Sequence, residues 1–180
     1  MVYILLGDGF EEIEAFATCD ILRRGGVDTA LAALSGTSAM GAHQICVQAD
    51  LPLAEIDFDA LEMVIIPGGW GGVKAIEACD AAMALIEKAW NAGRYVAAIC
   101  AGPTALAKLH ITDGKQATCY PGLEDMMGSA VMQAADAVQD GKLITGRAPG
   151  AAIPFALKVL AELKGEEKAA EIAAGLVLEH

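Results

Sequence analysis

Short apolar runs alternate with segments of helical periodicity along most of this chain. Four runs rich in Val, Leu, Ile and Ala predict strands that are buried on both faces: 2–6, 27–34, 63–66 and 95–99. Apolar spacing and helix-forming composition predict helices at 11–24, 73–92, 104–109, 151–163 and 166–174. Because successive parallel strands need a crossover helix, this alternation predicts an α/β fold with a mostly parallel sheet and helices on both faces.

Shorter patterns predict additional strands. Two brief segments fit exposed or short strands, 44–48 and 116–119. Apolar residues also flank Asp140-Gly141, a dipeptide that favours the tight turn between antiparallel strands. We therefore expect a β-hairpin near residues 135–145.

Composition limits the class of protein. The chain has 180 residues, of which 55% are apolar, and we assign residues 1–177 to a single domain. We interpret the final Leu-Glu-His, residues 178–180, as the remnant of an expression tag. A net charge of −12 argues against binding to nucleic acid or to an anionic membrane, and no apolar run is long enough to cross a bilayer.

The cysteines indicate a reducing, cytoplasmic environment. There are five, an odd number, and they are scattered without paired spacing. No two histidines or cysteines stand at ligand spacing, so the sequence predicts no metal site.

Cys100 follows the run 95–99 directly and is the main candidate for chemistry. Ala101 and Gly102 are small enough for a sharp turn, and Pro103 suits the first turn of a helix. A cysteine between a strand and a helix is typical of a nucleophile elbow, where backbone N–H groups and a helix N-terminus would lower the pKa of the thiol. The alternative is a small buried hydrophobic residue, the usual role of a free cysteine.

The loops after three of the strands should meet at the carboxyl edge of the sheet, where ligands bind in open parallel sheets. The first leads to Glu14, whose apolar neighbours would raise the pKa of its carboxyl and suit it to move a proton to or from the sulfur. The second contains Gly69, whose N–H would form an oxyanion site together with that of Ala101. Glycines in an ordinary turn are the alternative.

Five motifs, in this order, closely resemble those of the ThiJ/PfpI superfamily, and within it the DJ-1 branch and its bacterial members. They are Gly-Phe-Glu-Glu-Ile-Glu-Ala at 9–15, Pro-Gly-Gly at 67–69, Ala-Ala-Ile-Cys-Ala-Gly-Pro at 97–103, Thr-Cys-Tyr-Pro-Gly at 118–122 and Thr-Gly-Arg-Ala-Pro-Gly at 145–150. The resemblance implies a flavodoxin-like α/β sandwich and a homodimer.

The resemblance also implies roles for single residues. Cys100 matches the oxidisable cysteine of the family's elbow, and Glu14 matches the glutamate that hydrogen-bonds its sulfur. Gly69 and Ala101 match the family's backbone oxyanion donors. Gly68, next to Gly69, is expected in the same pocket.

The chain departs from the DJ-1 pattern at three further pocket positions. Tyr120 stands where the pattern has a histidine near the cysteine, and Trp70 stands where it has an asparagine. His43 takes the place of an arginine that reaches toward the partner subunit. Without the first histidine, a peptidase of the PfpI type lacks the acid that protonates its amine leaving group.

Members of the superfamily are described as glutathione-independent glyoxalases, deglycases, stress chaperones or peptidases, and an older label links some to thiazole monophosphate biosynthesis. A thiolate, a carboxyl group and two N–H donors suit addition to an aldehyde. We therefore expect a cofactor-independent glyoxalase or deglycase for small 2-oxoaldehydes or glycated substrates, with Cys100 as nucleophile and Glu14 as proton shuttle. The alternative is an oxidative-stress sensor or chaperone in which Cys100 is oxidised to a sulfinate.

Overall fold

The structure is a computed structural model that describes residues 1–178. Its strands are β1 (Val2–Leu6), β2 (Thr29–Ala33), β3 (Ser38–Met40), β4 (Cys46–Gln48), β5 (Leu51–Pro52), β6 (Met63–Ile66), β7 (Tyr95–Ile99), β8 (Gln116–Ala117), β9 (Val131–Met132), β10 (Ala137–Asp140) and β11 (Leu143–Gly146). Its α-helices are α1 (Glu12–Arg24), α2 (Trp70–Glu77), α3 (Asp80–Asn91), α4 (Pro103–Lys108), α5 (Ala152–Lys164) and α6 (Glu166–Gly175). Of the interpreted tag remnant, residues 179 and 180 lie outside the described residues.

Seven strands form one sheet in the order β10-β11-β7-β6-β1-β2-β5. All neighbouring pairs are parallel except β10 and β11. The strands β1, β2 and β6 are buried at every position, as expected where both faces of a sheet are covered. The predicted α/β fold with a mostly parallel sheet is confirmed.

The helices cover the sheet in two groups. One group has α5 packed between α1 and α6, and in the other α2 contacts both α3 and α4. Fully buried side chains, such as Phe155 of α5 and Ile76 of α2, fill the space beneath them. Within residues 1–178, no helix combines the length and apolarity needed to span a membrane.

The helix predicted at 73–92 is in fact two helices. The first begins earlier, at Trp70, and ends at Glu77. Cys79 then adopts an extended conformation, with φ −98° and ψ 97°, before the second helix begins at Asp80. Both helices bury an apolar stripe, so the periodicity alone does not reveal the break between them.

The predicted hairpin is confirmed, with its turn one residue later than expected. Asp140 lies opposite Leu143, so the connecting residues are Gly141 and Lys142. Gly141 has a φ of +61°, which suits the first position of a two-residue hairpin turn.

The shorter predicted strands are present but reduced. The segment 44–48 contributes β4, which pairs with β3 in an antiparallel ribbon, and the segment 116–119 contributes β8, which pairs with β9. The partners β3 and β9, like the edge strand β5, have only two or three residues. Such segments carry too little periodicity to be recognised in a sequence.

Four neighbouring strands, β11, β7, β6 and β1, deliver their carboxyl ends to the same edge of the sheet. The chain continues from β7 into Cys100, from β6 toward Gly68, and from β1 toward the helix that carries Glu14. The three loops expected at this edge therefore meet there. A fourth, which begins at Arg147 after β11, joins them.

Candidate active site

Cys100 forms the turn between β7 and α4 in a strained backbone conformation. Its φ is +65°, a left-handed value that residues other than glycine rarely adopt. Two hydrogen bonds hold this turn: the Cys100 N–H donates to the Gly146 carbonyl (2.9 Å), and the Tyr120 N–H donates to the Cys100 carbonyl (2.8 Å). The turn has the geometry of a nucleophile elbow, and strain of this kind clusters at functional sites.

Glu14 lies in the first turn of α1, with its carboxyl group completely buried beside Cys100. The Gly68 N–H donates to its Oε2 atom (2.6 Å), and the Cys100 thiol interacts with the same carboxyl group. Among residues 1–178, no group meets ordinary hydrogen-bond geometry with its Oε1 atom. One carboxyl oxygen is thus anchored, and the other is available to carry a proton.

The contact between Cys100 and Glu14 requires glycine in the loop after β6. A Cβ atom at Gly68 would lie 2.6 Å from the Cys100 Cβ and 2.6 Å from Glu14 Oε2. At Gly69 the φ is +79°, and a Cβ atom there would lie 2.3 Å from the Gly9 carbonyl oxygen. The main chain of this loop therefore packs directly against the reactive groups, with no room for a side chain.

The backbone N–H groups of Gly69 and Ala101 lie beside the Cys100 sulfur, and both act to lower the pKa of the thiol. These are the two amides expected from the sequence to act as oxyanion donors. Their position suits them to stabilise negative charge on the sulfur or on an atom bonded to it.

The pKa of the Cys100 thiol is nevertheless raised, to about 12, and the expectation of a lowered value is wrong. Burial of the sulfur is the largest cause, and the adjacent Glu14 carboxylate adds to it. The N–H groups of Gly69 and Ala101 offset only part of this effect. The sequence pattern indicated the turn but not how completely the site excludes water.

Glu14 is the group that titrates near neutral pH. Burial raises its pKa to about 7, against the opposing effects of the Cys100 thiol and the Gly68 N–H. The pair thus loses one proton near pH 7 and the next near pH 12, and it holds a single proton in between. When that proton is on Glu14, no carboxylate charge opposes a thiolate, and the carboxyl O–H can donate to the sulfur.

Trp70 and Tyr120, which were expected in the pocket, are about half exposed to solvent. The Trp70 indole is 47% exposed, and the Lys74 ammonium lies 4.4 Å from its ring centroid. The Tyr120 side chain is 46% exposed, although its main chain is bonded to Cys100. Of the expected pocket residues, Gly68 is the one that closely approaches both reactive side chains.

His43 covers the buried carboxylate of Glu12. The His43 N–H donates to Glu12 Oε1 (2.8 Å), and its ring Nδ1 lies 2.8 Å from Oε2. Burial alone would raise the pKa of Glu12, but the hydrogen bonds from His43 lower it, and the pKa of His43 is raised in turn. The sequence did not reveal this pair, because the two residues are brought together only by the packing of the 41–43 turn on α1.

With Glu11, these two side chains form a group that could hold a metal ion. Among residues 1–178 it is the one such group, with its donor atoms within 4.8 Å of one another. The expectation of no metal site compared only histidines and cysteines and so overlooked it. In the structure, His43 and Glu12 are already hydrogen-bonded to each other.

Gly146 supports the site but was not singled out from the sequence. Its carbonyl accepts the Cys100 N–H, and the neighbouring Thr145 hydroxyl accepts the Thr118 N–H (2.9 Å). Gly146 is part of the motif at 145–150, which was noted in the sequence. Its contact with Cys100 could be recognised only once the strand order was known, because that order places β11 beside β7.

Residues 1–162 match the model of the DJ-1/PfpI family. The chain belongs to this family. The match confirms the resemblance seen in the five motifs.

Named relatives agree with this DJ-1/PfpI assignment. Protein dj-1beta of Drosophila melanogaster is 37% identical over 178 residues, which cover 97% of this chain and 95% of the relative. The crystal structure of Drosophila melanogaster DJ-1beta has a TM-score of 0.93 at 36% identity, and the match covers 99% of this chain and 98% of that one. The glutathione-independent glyoxalase DJR-1.2 of Caenorhabditis elegans is 34% identical over 160 residues, which cover 88% of this chain and 85% of the relative.

Replacing Gly68 should separate the two reactive groups of this DJ-1/PfpI protein. In Gly68→Ala the new methyl group must displace Cys100 or Glu14, and we expect a loss of about 1–3 kcal/mol in stability. The rate of Cys100 alkylation by iodoacetamide, measured against pH, should lose its rise near pH 7. Gly175→Ala is the control, because a Cβ atom there meets nothing within 4 Å. A Gly68→Ala profile identical to that of wild type would contradict this interpretation.

The raised pKa of Glu14 predicts that stability falls as the pH rises. The carboxyl group has a pKa of 4.5 when unperturbed and about 7 when folded. Its contribution to the free energy of unfolding is therefore complete below pH 4.5 and is lost as the pH rises through 7. This difference corresponds to about 3 kcal/mol. Urea unfolding across this range should show the fall in wild type but not in Glu14→Gln. The same pH dependence in both proteins would refute the assignment.

Proposed function

We propose that this protein is a cofactor-independent glyoxalase, with related deglycase activity, that converts small 2-oxoaldehydes to hydroxy acids. One observation carries the proposal: a fully buried carboxyl group with an available oxygen lies beside the sulfur of Cys100. The name of the Caenorhabditis elegans relative is consistent with it.

The first step is addition of Cys100 to the aldehyde carbon of a substrate such as methylglyoxal. The thiol proton passes to the Glu14 carboxylate, and the sulfur forms a bond to the carbon while the carbonyl π pair moves to oxygen. The N–H groups of Gly69 and Ala101 stabilise this oxyanion. Glu14 returns the proton to the oxygen, which gives a hemithioacetal and restores the carboxylate.

The second step is an internal redox exchange. The Glu14 carboxylate removes the proton from the former aldehyde carbon, and the electron pair forms an enediolate with the adjacent ketone carbon. Glu14 returns the proton to that second carbon, and the hydroxyl proton on the first carbon's oxygen is transferred to the oxygen of the former ketone. The ketone is thereby reduced to an alcohol, and the first carbon, now a carbonyl, is left as a thioester. Water then hydrolyses the thioester, which releases lactate and the Cys100 thiol.

Peptidase activity has less support. His43 is bonded to Glu12, and His110 is exposed and bonded to Asp113 (3.0 Å). Neither histidine of residues 1–178 is among the groups that shift the pKa of Cys100. Peptide hydrolysis would therefore lack a histidine to protonate the departing amine. Addition to an aldehyde expels no amine and does not need this acid.

Substitution of either reactive residue should abolish lactate formation from methylglyoxal in the absence of glutathione. We expect no activity above background in Cys100→Ser, because serine is a much weaker nucleophile. Glu14→Gln should lose about a hundredfold or more, because the amide cannot accept a proton. Cys19→Ser is the matched control, since it alters another buried cysteine. Full activity in either of the first two variants would reject the mechanism.

A second function, a peroxide sensor, uses the same groups. Oxidation of Cys100 to a sulfinate would place negative oxygens beside the N–H groups of Gly69 and Ala101. Glu14, when protonated, would donate to one of those oxygens.

Mild peroxide treatment should separate the two functions. A sensor should gain two oxygen atoms selectively at Cys100, as measured by peptide mass spectrometry, and should show negligible aldehyde turnover before oxidation. Cys46, which is exposed, serves as the internal reference. Equal oxidation of Cys46 and Cys100 would count against the sensor.

A further inference from the structure

The wall of a depression of about 390 Å³ includes Tyr120, Asp136 and Arg147. Two of these residues are tied to Cys100 through the main chain. The Tyr120 N–H donates to the Cys100 carbonyl, and Gly146, which precedes Arg147, accepts the Cys100 N–H. The wall of the depression is therefore joined by hydrogen bonds to the main chain of the elbow.

Arg147 brings an available positive charge to this depression. No acidic side chain of residues 1–178 lies within ion-pair distance of its guanidinium group, although Asp136 lines the same wall. Glu124, which borders an adjoining cavity with Arg147, accepts the Gly122 N–H instead (2.7 Å).

The chemistry of the two exposed side chains suits one class of ligand. A guanidinium group binds a carboxylate through paired, charge-assisted hydrogen bonds. The Tyr120 ring offers an apolar surface for the atoms that join such a carboxylate to a reacting carbon. Methylglyoxal is uncharged and has no carboxylate for the guanidinium group to bind.

We propose that Tyr120 and Arg147 form a subsite for the carboxylate end of a longer substrate whose aldehyde, or glycated group, reacts at Cys100. The subsite rests on the proposed function for its substrate class. It assigns the motif at 145–150 two tasks: Gly146 supports the elbow, and Arg147 selects the substrate. The preferred substrates are then carboxylate-bearing 2-oxoaldehydes or their adducts.

Alkylation of Cys100 tests the subsite without requiring turnover. The probes are N-phenyl iodoacetamide and its para-carboxylate derivative, which differ only in a carboxylate several bonds from the reactive carbon. In wild type we expect the anionic probe to be favoured at Cys100, as measured by peptide mass spectrometry at low salt. Arg147→Gln should lower the ratio of anionic to neutral rates by about fivefold or more, and Arg147→Lys should lower it less.

Two controls separate local recognition from the overall charge. Arg24→Gln removes an arginine from the far end of α1, where it pairs with Asp20, and should leave the ratio unchanged. The exposed Cys46 of each variant is an internal reference for the same probes. An unchanged ratio at Cys100 in Arg147→Gln, or an equal fall at Cys46, would overturn the subsite. A normal ratio without lactate formation would reject the glyoxalase but leave the subsite intact.

Discussion

Two buried groups that share one proton lie at the centre of the candidate active site. The Glu14 carboxyl and the Cys100 thiol are too close together, and too far from water, for both to ionise near neutral pH. The Gly68 N–H holds the carboxyl group, while the amides of Gly69 and Ala101 approach the sulfur. Three strands end at one edge of the sheet, and their loops bring these groups into contact. The proposed reactivity therefore depends on the pair and not on the cysteine alone.

Hydrogen bonds that include one to the sheet hold Cys100 in its strained backbone conformation. A positive φ at a residue with a side chain costs about 1–3 kcal/mol and persists only where its surroundings enforce it. Here Gly146 and Tyr120 hold the main chain of Cys100 from either side. The first of these belongs to β11, so the antiparallel hairpin at the end of the sheet contributes directly to the site. In this DJ-1/PfpI protein, the strand order of the sheet thus helps to set the backbone conformation of Cys100.

Much of this arrangement could be predicted from the sequence, because buried parallel strands are continuous apolar runs and a reactive turn needs small residues. Two of the features that the sequence did not reveal depended on long-range packing, and a third was local. The pKa of Cys100 is raised because Glu14 and the surrounding core exclude water, which a strand-turn-helix pattern does not reveal. The Glu12–His43 pair joins residues far apart in the chain, and the break near Cys79 is hidden by apolar stripes on both sides.

The crowding around Gly68 divides the site into a part that cannot vary and a part that can. Any side chain at Gly68 would collide with both reactive groups, whereas Trp70 and Tyr120 are half exposed and face few such constraints. Substitution at Gly68 would therefore alter how bonds are made and broken in the proposed reaction, whereas substitution at Trp70 or Tyr120 would alter which molecules are admitted.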